Sequence, residues 1–249
     1  MSKAHEIACE GIVLRVIKYK DSQAIFKFLT PDYGVIQCAV KGLRNTKSSY
    51  AGIICNLNYL NLELTSHNNS DIYFLKNAHL ISSLADLENY ETFKYQCAGA
   101  EIFTKIDSYN EEDYAKLFHL LLTFLSYIST VKKNQITIFW RFLIKYYDIL
   151  GIPFSLNNCS ECHERLCDTT VCYSLENNAL VCSKCSLNQQ VQTITPDAQA
   201  VFLVLPYIGN VLNSITIEDN IKQEINDLLL YHLSLSLHKD VYLKSLCIN

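Results

Sequence analysis

The sequence predicts an α+β fold in which a small five-stranded barrel precedes a helical domain, and a four-cysteine hairpin is inserted among the helices. Three observations predict it. Apolar residues alternate with polar ones early in the chain, and after residue 80 they recur at helical spacing. Two Cys-x-x-Cys pairs follow later in the chain. The 249 residues are 49% hydrophobic and 18% charged, which is enough apolar side chain for folded domains and excludes a disordered chain.

Runs rich in Ile, Val, Tyr, Phe and Leu, separated by turn signals, predict strands in the first third of the chain. The predicted strands span residues 11–19, 23–30, 35–42, 57–64 and 72–80. Asp32-Tyr-Gly34 is typical of a tight turn, and residues 42–52 are a polar loop. Five strands are the number in an OB-fold barrel, and an SH3-like barrel is the alternative that composition leaves open.

The period of the apolar residues then changes to 3.6, which predicts a mainly helical second part. One helix begins near Asn110 and the acidic residues 111–113 and continues through an apolar stripe to Ile128. A second covers residues 136–147 and ends before Gly151, a residue typical of the left-handed position after a helix.

Two further helix starts are predicted near the C-terminal end of the sequence. Thr195 and Pro196 suit the first positions of one helix, and Thr216 with Asp219 resembles a capping box before another. The predicted domains are 1–80 for an OB-fold DNA-binding domain, 81–156 and 191–249 for the two parts of a helical domain, and 157–190 for a zinc-finger-like insertion.

Charge is distributed unevenly between the predicted barrel and the rest. Residues 1–80 hold nine Lys or Arg against six Asp or Glu, whereas residues 81–249 hold twelve against nineteen, for a net charge of −4. Cations interleaved with aromatic residues can hold phosphates while rings stack on unpaired bases. The alternative is a solvated lysine-rich surface with the rings in the core. The candidate phosphate contacts are Arg15, Lys18, Lys20, Lys41, Arg44 and Lys47.

The cysteine spacing is the most specific signal. Cys159-x-x-Cys162 and Cys182-x-x-Cys185, with nineteen residues between the pairs, match a four-cysteine zinc site. Four thiolates leave no position for an exchangeable water, so the predicted Zn²⁺ is structural rather than catalytic. Residues 171–174 and 179–182 predict the hairpin that joins the pairs.

A second interpretation of the first pair is covalent haem attachment, since His163 completes Cys-x-x-Cys-His. That interpretation leaves Cys182 and Cys185 without a role and is normally linked to export. The first ten residues lack an apolar stretch with a cleavage site, so we expect a cytoplasmic protein. The longest uncharged stretch, residues 198–217, is too polar for a membrane segment. Cys167 and Cys172 lack the paired spacing and are expected to pack as small apolar residues.

Catalytic and nucleotide-binding motifs are missing from the sequence. It contains neither a P-loop nor Gly-x-Gly-x-x-Gly, Gly-x-Ser-x-Gly or His-Glu-x-x-His, and its seven glycines and dispersed histidines suggest no phosphate cradle or catalytic base. We therefore expect neither ATP hydrolysis nor nucleotide binding.

The order of these parts resembles the RecO family of bacterial recombination mediators. The matching residues are Gly11-Ile-Val-Leu-Arg15, Tyr19-Lys-Asp-Ser22, Leu29-Thr30, Gly34, Lys41-Gly-Leu-Arg44, Ser48-Ser-Tyr-Ala-Gly52, Asp148-Ile-Leu-Gly-Ile-Pro153, Tyr173-Ser174 and Val181-Cys182. The resemblance implies a protein that is not an enzyme, binds single- and double-stranded DNA and anneals complementary strands. Together with RecR it would help to load the RecA recombinase onto DNA strands covered by single-stranded DNA-binding protein (SSB).

The helical domain would then be the protein-binding part. An acidic, apolar SSB tail could use a groove near Lys132, Lys133, Arg141 or Lys145, among which the sequence does not choose. Two other functions stay open: a zinc-stabilised protein-interaction adaptor without direct DNA binding, and a hydrolase with an unrecognised site. Oligomeric state, the stoichiometry with RecR and the barrel face that meets DNA are not predicted.

Overall fold

The computed structural model describes residues 5–20, 23–41, 50, 52–66, 72–210 and 214–247. The chain divides into two compact units, Met1–Thr130 with Leu243–Asn249, and Val131–Tyr242. The four-part division proposed from the sequence stays a prediction. In the structure, the first two helices belong to the same unit as the barrel.

The first unit is built on a closed barrel of five strands. The strands are β1 His5–Lys20, β2 Gln23–Thr30, β3 Gly34–Lys41, β4 Asn58–Ser66 and β5 Ile72–Ser83. Their order around the barrel is β1-β2-β3-β5-β4, with β3 parallel to β5 and the other neighbours antiparallel. This closure is that of an OB fold. The predicted five-stranded OB barrel is therefore confirmed, and the SH3-like alternative is wrong.

Alternation along β4 places its apolar side chains inside the barrel. On β4, Leu60, Leu62 and Leu64 are buried while Asn61 and Glu63 between them are exposed. Full burial of one such side chain stabilises the fold by about 1.5–3 kcal/mol. Register in this sheet is consequently fixed, because a slip of one residue would expose all three leucines.

Two helices pack with the barrel in the first unit, α1 Tyr90–Ile102 and α2 Tyr114–Ile128. Gly34 marks where α2 meets the sheet. Its φ is +61°, and an added Cβ would lie 2.6 Å from the Tyr114 ring. Only glycine accepts both the left-handed backbone and this close approach.

The second unit surrounds the cysteine hairpin with three helices. Its elements are α3 Gln135–Ile149, β6 Val171–Ser174, β7 Ala179–Cys182, β8 Val191–Thr193, α4 Pro196–Val204 and α5 Asp219–Leu237. The three short strands form one sheet in the order β7-β6-β8. Among the helices that the structure describes, none is both long and apolar enough to cross a membrane.

Two predictions made for helix ends are confirmed. Thr195 caps α4 through a bond from the Ala198 N–H, and Gly151 has a φ of +74° after α3. The capping box predicted at Thr216 is wrong, because Glu218 is the cap residue of α5 and makes no side-chain cap bond. Helix α1 was not predicted from the sequence, because its buried face is made largely of small and polar residues such as Gln96, Ala98 and Gly99.

Glu101 on α1 anchors a short 3-10 helix, Lys244–Cys247, in the first unit. Its carboxylate accepts the backbone N–H groups of Lys244 and Ser245 at 3.1 and 3.0 Å, the Ser245 hydroxyl at 2.9 Å, and an ion pair from Lys105 at 2.9 Å. Burial raises the pKa of Glu101, but the bonds from Lys105, Ser245 and Lys244 outweigh burial and lower it.

This anchor predicts a pH-dependent loss of stability. A lowered pKa means that Glu101 stabilises the fold above its ordinary pKa of 4.5 and that this contribution is lost as pH falls through the folded value. Glu101→Gln should lower the free energy of unfolding at neutral pH by about 1 kcal/mol, since the site is part-exposed. The difference should shrink toward zero as pH falls below 4.5 and through the lowered pKa of Glu101. Urea unfolding at several pH values measures it.

The matched control is Glu88→Gln, which removes an exposed carboxylate from the same unit. It should change stability little at any pH. A Glu101→Gln deficit that stays the same at low pH would contradict the assigned role of the ionised carboxylate.

Candidate metal centre and nucleic-acid interface

Four cysteine side chains converge in the second unit. The sulfur atoms of Cys159, Cys162, Cys182 and Cys185 all lie within 4.8 Å of one another. Within the described residues, no other group of three or more His, Cys, Asp or Glu side chains comes as close. The two pairs that the sequence analysis singled out are therefore brought together, close enough to bind one metal ion.

Local backbone bonds shape each knuckle of this cluster. In the first, the Cys159 N–H donates to Glu164 O at 2.8 Å and the His163 N–H donates to Cys159 O at 3.0 Å. His163 has a φ of +61°, which turns the chain back after Cys162. In the second, Cys182 ends β7 and Cys185 begins a 3-10 helix.

The distances fit a tetrahedral ion. Four sulfur ligands at the usual Zn–S length of about 2.3 Å lie about 3.8 Å apart at tetrahedral angles. The sulfur atoms of Cys162 and Cys182 are 3.8 Å apart. Two of the thiols, Cys159 and Cys182, are buried, and Cys162 is exposed. An ion bound there by all four sulfur atoms would have little room for a water ligand.

The protein also prepares one ligand for ionisation. Burial raises the pKa of Cys159, but N–H donors from Cys162, Cys182 and Glu161 outweigh it and lower the pKa to about 7. The Cys182 N–H lies 3.4 Å from Cys159 Sγ. The thiolate is the metal-binding form of cysteine, so these donors favour Cys159 as a ligand, whereas hydrogen bonds with the Cys182 and Cys162 thiols raise the pKa of Cys185 to about 12.

The other cysteines stay outside the cluster. Cys172 is buried and Cys167 is exposed, and none of the eleven cysteines forms a disulfide. His163 offers no ligand to the cluster. The joining of both Cys-x-x-Cys pairs favours the metal interpretation over haem attachment, which would use the first pair alone.

A buried polar network docks the hairpin on the helices of its unit. His232 on α5 contacts the Tyr173 hydroxyl of β6 through Nδ1 at 3.1 Å, and its Nε2 lies 2.9 Å from the carbonyl oxygen of Ile152. Asn178, in the turn between β6 and β7, bonds the Tyr173 and Ser236 side chains. The tip of the hairpin is thus tied to α5.

Burial lowers the pKa of His232, although the carbonyls of Ile152 and Asn178 act against it. The imidazole is therefore neutral near pH 7 and serves packing, surrounded by the Tyr147, Phe154 and Tyr173 rings at 5.0–6.2 Å. One signal in the sequence indicates this role: His232 follows Ile225, Leu228 and Leu229 at the spacing of the buried α5 stripe.

Four of the six predicted phosphate contacts lie on strands of the barrel. Arg15 is exposed on β1, Lys18 and Lys20 follow on the same strand, and Lys41 ends β3. Arg44 and Lys47 lie outside the described residues. Arg15 is opposite Lys27 of β2 in the register of the sheet, so two cations are neighbours there.

Acidic residues occupy the other half of β1, a division that counting charges did not reveal. Glu6 and Glu10 are exposed on β1, and Glu63 is exposed on the neighbouring β4. Glu10 and Glu63 line a common hollow with Asp32. Lys76 pairs with Glu6 at 3.0 Å. The barrel surface therefore has an acidic part and a basic part rather than a uniform positive charge.

The predicted partner-binding cations lie at the start of the second unit. Lys132 and Lys133 are exposed between α2 and α3, and Lys145 is exposed on α3. Arg141 is part-buried four residues before Lys145, which places both on one side of the helix. The four cations are close in sequence, and the structure singles out none of them.

Comparisons with known proteins identify the family. The model of the recombination protein O N-terminal domain matches residues 1–84, and that of its C-terminal domain matches residues 95–246. A DNA repair protein RecO of Dehalococcoides mccartyi strain CBDB1 is 26% identical, over 97% of this chain and 91% of its own length. One of Caldicellulosiruptor bescii is 24% identical, over 94% and 95% respectively. With both domain models matched in order over most of its length, the chain belongs to the RecO family.

Proposed function

We propose that this protein mediates DNA repair and recombination by binding single- and double-stranded DNA on the basic part of its barrel. The observation that carries the proposal is the family match over both halves of the chain. The OB fold and the cations of β1 and β3 support it, because OB barrels hold nucleic-acid backbones in charged grooves. Arg15, Lys18, Lys20, Lys41, Arg44 and Lys47 contact phosphates.

The proposed reaction is annealing without catalysis of a covalent step. Cations on the barrel screen the phosphates of two strands at once, which lowers the repulsion between complementary single strands. The protein then acts with RecR to load RecA onto strands covered by SSB. No nucleotide is consumed in this scheme, in agreement with the missing P-loop.

The helical domain binds the partner proteins in this proposal. The acidic, apolar tail of SSB docks near Lys132, Lys133, Arg141 and Lys145, where exposed cations accompany the apolar helix α3. Docking of the tail would raise the local concentration of the barrel at the DNA.

The metal of the four-cysteine cluster is structural Zn²⁺ in this proposal. Zinc with four thiolates is closed and tetrahedral, in agreement with the 3.8 Å sulfur separation. The ion cross-links the two knuckles and so stabilises a hairpin whose strands have only four residues each.

The zinc assignment predicts one zinc ion per chain. Cys159→Ser should release it and unfold residues 157–190 locally while the barrel stays folded, because structural zinc contributes about 10–16 kcal/mol in small peptides. Metal analysis after chelator-free, reducing purification and limited proteolysis measure both effects. Cys167→Ser, an exposed thiol outside the cluster, is the matched control and should keep its zinc. Wild-type protein purified without zinc would refute the assignment.

The DNA proposal predicts a salt-dependent loss of affinity in the variant in which Lys41, Arg44 and Lys47 are all replaced by Ala. Affinity should fall by a similar factor for unrelated sequences, because phosphate contacts carry no base information. The slope of log affinity against log salt should flatten by about 0.7 for each single-strand phosphate that the variant no longer neutralises. Fluorescence anisotropy over a salt series measures both quantities.

A control variant replaces Lys116, Lys184 and Lys222 with Ala, which removes the same charge from residues outside the barrel. It should bind as the wild type does. If the barrel variant is folded and binds DNA as tightly as the wild type does, the adaptor without direct DNA binding is favoured.

The proposal also predicts that the protein speeds annealing without using ATP. Two complementary labelled strands should pair faster with the protein, equally with or without ATP, and the acceleration should fade with salt. On strands coated with SSB it should persist and then fall when the SSB tail is deleted. Energy transfer between the labels follows pairing. A need for ATP would contradict the proposal.

A further inference from the structure

A pocket of about 340 Å³, the α1 pocket, lies in the first unit between β1, α1 and the 3-10 helix Lys244–Cys247. Leu14, Leu57 and Phe93 give it apolar walls, and Arg15 and Lys244 add two cations. This volume is within the range of about 300–1,000 Å³ for small-ligand sites.

The fold holds the walls of the α1 pocket in place. The Leu57 N–H donates to Val13 O at 2.8 Å, which fixes the loop before β4 on β1. Leu57 is buried with a φ of +67°, a conformation rarely adopted outside glycine and asparagine. On the other side, Glu101 binds the backbone of Lys244 and Ser245. The pocket is therefore preformed.

The α1 pocket is positive. Its one carboxylate, Glu101, already accepts three hydrogen bonds and the ion pair from Lys105. In the part of the chain that the structure describes, the side chains of Arg15 and Lys244 pair with no carboxylate. Two uncompensated cations thus stand beside an apolar surface.

This combination suits a nucleotide. Cations bind phosphate, an aromatic side chain and aliphatic walls accept the face of a base, and Asn56 and Thr104 add polar groups that can bond its edge. Arg15 is also one of the candidate phosphate contacts of β1.

We infer that the α1 pocket binds one unpaired nucleotide of a single strand, with Arg15 and Lys244 at its phosphates and Phe93 against its base. The inference rests on the proposed DNA binding by the barrel and adds to it a site selective for single strands. Selectivity follows because a duplex keeps its bases paired and stacked, and only an unstacked base can enter a pocket.

The test compares Phe93→Leu, Lys244→Ala and Lys94→Ala. Phe93→Leu keeps an apolar side chain but removes the ring. Lys244→Ala keeps the backbone bonds to Glu101 and removes the charge. Lys94→Ala is the matched control, because Lys94 is also on α1 but does not line the pocket. Anisotropy with labelled oligothymidine and with a mixed-sequence duplex measures affinity, and thermal unfolding checks that each variant is folded.

Phe93→Leu should weaken oligothymidine binding about fivefold or more, since stacking of a base on an aromatic ring is worth about 1–3 kcal/mol. Lys244→Ala should flatten the single-strand salt slope by about 0.7. Both should leave duplex binding within about twofold of the wild type, and Lys94→Ala should match the wild type on both DNAs. Oligothymidine carrying 5-iodouracil should cross-link to the α1 peptide containing Phe93.

The outcomes separate this inference from the proposed function. Wild-type protein that binds neither DNA would refute both. Wild-type binding that Phe93→Leu and Lys244→Ala leave unchanged would overturn the α1 pocket alone. Equal losses on single strands and duplex would also overturn it, because the site would then be an unselective phosphate contact. Unchanged DNA binding together with weakened binding of an acidic, apolar peptide would assign the pocket to protein instead.

Discussion

Closure of the barrel is the constraint on which the first unit depends. Because β5 pairs with β3 in parallel and with β4 antiparallel, no strand keeps an open edge and the two faces of every strand have fixed roles. Inward positions must be apolar, and outward positions are free to carry charge. The same closure places Gly34 under Tyr114, so α2 packs at one defined place. The charged surfaces therefore rest on a rigid support.

The cysteine hairpin has no comparable core of its own. Its strands are four residues long, and an isolated hairpin of this size is marginal in water. Two separate features hold it: the four-sulfur cluster at the knuckles, and the bonds of Tyr173 and Asn178 to α5 at the turn. Unfolding of residues 157–190 after loss of the cluster would therefore begin at the knuckles and reach the turn last, because the turn has its own attachment to His232 and Ser236.

Local chemistry explains which parts could be predicted from the sequence. The four cysteines could be identified because the spacing within each Cys-x-x-Cys pair is typical of zinc ligands. The strands could be predicted because alternating apolar and polar residues indicate a half-buried strand. Helix α1 was not predicted, because its buried residues Ala98, Gly99 and Gln96 do not form an apolar stripe in the sequence. The α1 pocket could not be predicted, since it brings Lys244 beside Arg15 and Phe93 through contacts between distant segments. The division of charge on the barrel was hidden for a related reason: a sum over residues 1–80 ignores where each side chain lies.

A protein with a net charge of −4 can still bind a polyanion when its charges are separated. Glu10 and Arg15 are five residues apart on β1, a distance of about 17 Å in an extended strand. The Debye length at physiological salt is about 8 Å, so a phosphate beside Arg15 is largely screened from Glu10. Glu6 is further offset by Lys76. The acidic half of β1 thus weakens the attraction between the basic half and a phosphate only slightly. It would also repel a DNA strand that approaches the barrel from the acidic side. Net charge therefore does not exclude the proposed DNA binding, because the position of the charges along one strand decides where a phosphate would be attracted.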